Sequence, residues 1–428
     1  MNAAITGGGD CFLRHSAHFP DRKEKESNNM NTQAGPSPFA AVAGNKRHEL
    51  YEALAAQGPV HPITAPSGTA GWLVTGSEET RALLADPRIV KGGWRATPFM
   101  ETLPEETARA VHSHMLNSDP TVHTRLRKLV TSAFTRRRVK KLAPRIQQMT
   151  DELLDASEGS EYVDLITGLA YPLPLNVICE LIGVPEEDRT VFRSWTAAVV
   201  SPGIYNPQDY LRAVTSLLDY SRRLIEQKRH APQDDLLSQL ISARDEGEGL
   251  TEDELTSMIF LLLIAGHETT VNLIGNGVHA LLSHPDQLEL LRERPELLEG
   301  AIEELLRYDS PLQTTPAYRT VQPVEAGGVT IPEGAVVYFA LLAANRDDSQ
   351  FPAGAGLDIT REGPAHVAFG HGIHHCLGAP LARLEALIVF RTLLDRFPDL
   401  RLAVPTEDLI RTPSMIMNGL AALPVHLT

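Results

Sequence analysis

A chain of 428 residues with 43% hydrophobic and 22% charged residues has an ordinary globular balance and enough length to bury a large core. Its formal net charge of −15 argues against a nucleic-acid binder, which would show a basic footprint. The longest apolar run, residues 258–265, falls far short of the roughly 20 that a membrane helix needs, so no spanning segment and a soluble protein are expected.

Residues 1 to about 36 are polar and rich in Gly, Asn, Lys and Glu, with nothing like a signal peptide; they read as a disordered tail, with Met30 an alternative start. Cys11, Cys179 and Cys376 make no disulfide framework and suit a reducing cytoplasm, the expected location. A helix over 48–54, a strand over 71–75 and a helix over 78–84 follow. From 88 to 117 the periodicity is lost, and a long irregular segment inside a domain is more often functional than idle. Helical patterns then dominate at 121–134, 139–155, 175–182, 189–200, 209–228 and 236–243, with a mobile connection expected at 201–207. Residues 251–283 predict one long helix, opened by the capping box Thr251…Glu254. Pro285 and Pro295 begin two more, the second running to Tyr308. Residues 324–330 and 335–340 supply strands, and 414–427 predicts a closing hairpin around Asn418-Gly419. No repeat or linker divides the rest, so 37–428 reads as one mostly helical domain with minor β-sheets.

Chemistry concentrates in Phe369-Gly370-His371-Gly372-Ile373-His374-His375-Cys376-Leu377-Gly378. The apolar period of Leu377, Leu381, Leu384, Leu387 and Ile388 places Cys376 at or just before a helix N-terminus, where an anion is favoured. A thiol there should lose its proton easily, and the thiolate is the form that ligates metal. Gly370, Gly372 and Gly378 let the backbone turn tightly and approach a flat partner. One thiolate on such a loop suits the axial position of a haem iron better than a cage of four ligands. Zinc is the rival, because His371, His374 and His375 accompany the cysteine. Adjacent His375 and Cys376 can hardly both reach one ion, however, and no second Cys or His pair lies nearby. An inert structural cysteine is the remaining reading. The stretch fits Phe-x-x-Gly-x-(Arg/His)-x-Cys-x-Gly and strongly resembles the haem-ligand loop of a cytochrome P450.

A second constellation, Ala265-Gly266-His267-Glu268-Thr269-Thr270, falls in the middle of the long helix after seven apolar residues. Glycine there costs roughly 1 kcal/mol against alanine, and threonines that bond back to the preceding turn bend a helix. It reads as a kinked polar cluster, or, beside Cys376, it resembles the oxygen-activating helix of that family. The resemblance implies that Thr269 hydrogen-bonds dioxygen and Glu268 relays protons, in a site that excludes water.

What the resemblance implies reaches further. Its fold is a single triangular domain with a long central helix over the haem. Glu304-Leu305-Leu306-Arg307 resembles the family's Glu-x-x-Arg pair, a structural buttress for the cysteine loop, although such pairs are also common on helix surfaces. His123 and Arg127, four apart on one helix face, resemble a clamp on the haem propionates, with Arg319 and His374 as two further donors. Phe369 and Gly370 belong to the haem loop. Leu261, Ile264 and Ala265 would cover the distal haem face, with Thr315, Ile416 and Met417 completing an apolar substrate lining, unless they are plain core residues. His375 departs mildly from the apolar or aromatic residue commoner there.

The implied cofactor is haem b. The implied function is a monooxygenase inserting one oxygen atom from O2 into an apolar secondary-metabolite-type molecule, as soluble bacterial relatives of a monomeric kind do. No reductase domain is attached, so electrons are expected from a ferredoxin and its reductase. The basic cluster from Arg125 to Lys141 is either a solvated face or the landing site of that acidic partner. Rival readings are the same fold driven by peroxide or performing oxidative coupling, and a haem-binding protein without turnover.

Overall fold

Helices carry most of the described chain, and several start at a proline or a capping side chain. The structure, a computed structural model, describes residues 46–65, 68–91, 103–131, 134–157, 159–160, 162–200, 207–245 and 250–427. The expected tail, its Met30 start, and residues 92–102 and 201–206 of the two irregular stretches lie outside the described residues.

Pro172 begins the Pro172–Ile182 helix, and Gly183 ends it in the left-handed conformation at φ 94°. The expected helix over 139–155 is instead two, Arg136–Lys141 and Ala143–Asp155, because Pro144 opens a new helix in its first turn. Part of the stretch expected to be irregular folds as the Glu105–His112 helix, with two acidic residues in its first turn. The capping box is present as expected, with Thr251 and Glu254 satisfying each other's backbone N–H.

The long helix it opens is not continuous. It is two helices, Glu252–Ala265 and Glu268–Ser283, broken at Gly266-His267. By length and composition the pair could cross a bilayer, yet 72% of its most apolar window is buried inside the protein. That apolar surface therefore faces the protein's own core.

A five-stranded sheet runs in the order Val60–Thr64, Ala70–Val74, Val336–Phe339, Tyr318–Thr320, Ile89–Val90. All four residues of Val336–Phe339 are buried, as a central strand requires. Ile89–Val90 was invisible in the sequence because two residues carry no period. It matters, since pairing Val90 with Arg319 brings residue 91 to the same edge as Tyr318. The closing hairpin is shorter than expected. Leu420 bridges Arg411, while Pro424–His426 pairs with Arg401–Leu402 and Val163–Asp164.

Asn418, the expected turn residue, is instead fully buried at the centre of a polar network. Its Oδ1 accepts from Arg47 at 2.7 Å and from Arg411 at 2.9 Å. Its Nδ2 donates to Asp309 at 2.7 Å, and Arg411 also reaches Asp309 at 2.6 Å. The network ties the first described helix, Arg47–Ala55, to the end of the chain. Burial pushes the Asp309 carboxyl up, but the Arg411 charge and the His48 hydrogen bond outweigh it and hold the group well below the usual carboxylate range. A depressed pKa stabilises the fold above the unfolded value, about 4, and the contribution is lost as pH falls. Asp309→Asn should therefore cost about 3–5 kcal/mol, because two buried arginines lose their carboxylate. Urea titrations between about pH 2.5 and 7 should show the variant's stability falling less steeply at the acid end; equally steep acid limbs would refute this.

Candidate active site

The loop around Cys376 is folded by its own backbone. The Cys376 N–H donates to the Phe369 carbonyl at 2.8 Å, and the Gly370 N–H to Val367 at 2.8 Å. Gly372 has φ 69°, and a Cβ there would lie 2.6 Å from the Leu84 carbonyl oxygen, so both conformation and contact demand glycine. Cys376 sits just ahead of the Ala379–Arg396 helix, deep in the fold, and the surface it leaves open faces a cavity. The expectation of an easily ionised thiol is overturned. Burial pushes it up, against the N–H groups of Gly378 and Ala379 and the charges of Arg127 and Arg383. Only a cation on the sulfur would reverse that balance.

The loop is held from behind by the buried pair Glu304–Arg307. Arg307 makes two bonds to Glu304, at 2.7 and 2.8 Å, in the side-by-side geometry that suits guanidinium and carboxylate. Its remaining donors go to the carbonyls of Asn345, Gly354 and Gly356 at 2.7–2.8 Å. Glu304 also accepts from Arg361 and from the Asp358 N–H. Asn345 passes the constraint on, because its Oδ1 accepts from the Val367 N–H at 2.7 Å, at the root of the cysteine loop.

The broken helix lines the same cavity as Cys376. A Cβ on Gly266 would sit 2.7 Å from Ile178 Cγ1 and 2.5 Å from the Leu262 carbonyl, so glycine is required there. The break frees the Ala265 carbonyl, and the Thr269 hydroxyl donates to it at 3.2 Å. His267 is fully buried, with Nδ1 at 2.7 Å from the Leu263 oxygen and Nε2 at 3.6 Å from Glu268 Oε1.

At one end the lining turns cationic. His123 and His374 meet edge to face at 4.5 Å, Arg127 stands one helical turn from His123, and the Lys91 ammonium lies 3.6 Å over the Tyr318 ring. Burial pushes His374 down to about 3 and Lys91 down to about 7. The one carboxyl in the described wall, Glu385, is fully buried and pushed well up, hence neutral.

Cys376, Phe369, Gly370, His374, His123, Arg127, Ala265, Thr269, Leu261 and Thr315 thus line one cavity. Five expected residues do not. Arg319 points outward because side chains alternate along Tyr318–Thr320 and Tyr318 takes the inward position. Glu268 faces His267 rather than the cavity. Ile264 packs on the core. Ile416 and Met417 are not in the wall, where Leu312, the antiparallel bridge partner of Met417, stands instead. Sequence reasoning missed Lys91, Met115, Leu312 and Tyr318, none of which belongs to a recognisable motif.

The sequence profile of the family described as cytochrome P450 matches residues 204–417. The chain is 49% identical over 394 residues to cytochrome P450 107B1 of Saccharopolyspora erythraea, covering 91% of this chain and 96% of that one. It is 39% identical over 391 residues to the mycinamicin IV hydroxylase/epoxidase of Micromonospora griseorubida, covering 91% and 97%. Among solved structures, the tirandamycin C-bound P450 monooxygenase TamI superposes with a TM-score of 0.85 at 45% identity, over 91% of this chain and 98% of that one.

Arg307→Leu would leave the Glu304 carboxylate and three carbonyls without their donor in the interior. A loss of about 3–5 kcal/mol is expected in chemical denaturation, with Arg307→Lys recovering little because one ammonium cannot span that set. A lysine variant as stable as the wild type would overturn the assignment.

Proposed function

The chain belongs to the cytochrome P450 family, and on that footing we propose that it hydroxylates or epoxidises an apolar secondary-metabolite-type molecule in the cytoplasm, with electrons from a ferredoxin and its reductase. Its relatives are bacterial monooxygenases, and the family binds haem b through a cysteine thiolate. The residues present fit that group. One sulfur faces a cavity whose far end carries cations and imidazoles, with Glu385 neutral, as a flat macrocycle bearing two carboxylates demands. When bound, haem would supply one-electron chemistry with O2, and Cys376 would be the thiolate that tunes it.

The observation that carries the reading is that Cys376 and Thr269 line one and the same cavity. Cys376 would hold the metal from one side. His123, Arg127 and His374 would take the carboxylates and fix the orientation. Thr269 holds a proton at Oγ1, currently given to the Ala265 carbonyl, and a rotation of its side chain points that proton into the cavity. Glu268, next to Thr269 in sequence and with its carboxylate 3.6 Å from His267 Nε2, is the acid that would replace the proton. Two protons and two electrons are consumed per O2, one oxygen entering the substrate and the other leaving as water.

Leu261, Leu262, Met115, Leu116 and Leu312 make the rest of the wall apolar. Thr315 accepts from the Phe339 N–H at 3.2 Å and keeps its own proton for a substrate oxygen. A bulky, mostly apolar molecule with a few oxygens suits this lining, in line with the mycinamicin and tirandamycin named for the relatives. The deciding experiment pairs two variants. The reduced, carbon monoxide-treated wild type should show the long-wavelength band of thiolate ligation, and Cys376→Ala should lose it. Thr269→Ala should keep the band and the substrate-induced spectral change, yet divert most reducing equivalents away from product. A band that survives in Cys376→Ala refutes the reading.

The basic cluster supports the choice of electron donor. Arg136, Arg137, Lys140 and Lys141 are exposed on a helix packed against Ala379–Arg396, the helix that follows Cys376. Arg138 and Arg125 are engaged by Gln239 and Glu254. Ile373, in the cysteine loop itself, is 46% exposed and offers an apolar centre. The double variant Arg136→Glu, Lys140→Glu should be reduced by ferredoxin about tenfold more slowly at low salt, with the gap closing as salt rises and substrate binding unchanged. Unaltered reduction kinetics would remove the docking site.

A further inference from the structure

Lys91 has no part in the roles assigned above, yet it is 2% exposed, and its ammonium is set in the cationic end of the cavity over the Tyr318 ring. Among the described residues no carboxylate pairs with it. The carboxylate of Asp119, the one acid that acts on it, accepts at 3.0 Å from Lys91's own backbone N–H instead. A buried ammonium beside two imidazoles and a guanidinium is costly unless an anion completes the group. No ionised carboxylate in the described wall of the cavity supplies that anion. His123 Nδ1 in the same end is also buried without a partner.

The sheet explains how a lysine comes to stand there. Val90 pairs with Arg319, so the chain emerges at Lys91 along the edge of the strand whose Tyr318 faces the cavity. Arg319, to which the resemblance gives a propionate, faces outward, with its guanidinium beside Gly334. We propose that Lys91 is a haem-propionate ligand of this chain, its buried ammonium pairing with the carboxylate that Arg319 was expected to hold. The proposal rests on the haem reading above and deepens it. One strand edge supplies the cation that its neighbour turns away, and the Tyr318 ring, lying under the ammonium, keeps it aimed at the cavity.

Haem transfer from the purified holoprotein to excess apomyoglobin, followed in the Soret band, tests this. Lys91→Met should lose haem about tenfold faster than the wild type, the effect of one charge-assisted contact. Lys91→Arg should stay within about threefold, and Arg319→Met within about twofold. Reconstitution with haem dimethyl ester, whose carboxylates are masked, should abolish the difference between the wild type and Lys91→Met. Thermal unfolding of the apoproteins separates this from damage to the fold, since Lys91→Met should unfold at or above the wild-type temperature once an unpaired buried charge is gone. If the methionine variant does not fold, Lys91→Gln takes its place in every arm. Haem retention equal to the wild type, or a difference that persists with the dimethyl ester, overturns the proposal. A wild type that takes up no haem brings down the reading beneath it as well.

Discussion

The position of the Cys376 sulfur depends on the guanidinium of Arg307. Its bonds run to Glu304 and to three carbonyls of the segment between Asn345 and Gly356. A buried ion pair of this kind gains little net stability over an apolar pair of the same shape, because both charges were taken out of water. What it gains is a fixed geometry. Those carbonyls belong to irregular chain with no ladder of its own, and a planar set of donors holds them at defined angles. Asn345 then hands the constraint to Val367, and the loop's own hydrogen bonds carry it to Cys376. Loosening of the guanidinium by an ångström would therefore be felt at the sulfur.

The broken helix uses the reverse strategy. In place of extra bonds, the helix gives some up at Gly266-His267, where no side chain fits against Ile178. The freed Ala265 carbonyl holds the Thr269 hydroxyl, and fully buried His267 keeps Glu268 beside it. A straight helix would have consumed these groups in its own ladder. The break provides the polar functions that an apolar cavity otherwise lacks.

The cysteine loop, the Gly266–Thr269 break, His123 with Arg127, and Glu304 with Arg307 were legible in the sequence because each is a local pattern. Each lies within one loop or one helical turn, so the family resemblance could pick it out, while spacing alone left a surface ion pair or a plain kink equally open. Lys91 and Arg319 were not legible, because which of them faces the cavity is decided by the pairing of two short strands from distant parts of the chain. Ile416 and Met417 failed for a related reason. Their segment does bridge Leu312, but of the bridged pair it is Leu312 that stands in the wall. The thiol of Cys376 is pushed up rather than down because burial outweighs the N–H groups of Gly378 and Ala379 at the helix start.

Taken together, the cavity's polar end is frustrated without its cofactor. Lys91, Arg127, His123 and His374 crowd one end of a cavity whose described wall offers no ionised carboxylate, and burial drives both Lys91 and His374 toward their neutral forms. A dianion entering there restores charge to the lysine, gives the imidazoles acceptors, and relieves the repulsion in a single step. Anything that binds the folded chain and not the unfolded one stabilises the fold by its binding free energy. The fold energy withheld at this end is thus returned on binding, so affinity for the cofactor and completeness of the fold are one quantity. A fold that tolerates unpaired cations at this end can place them before their partner arrives.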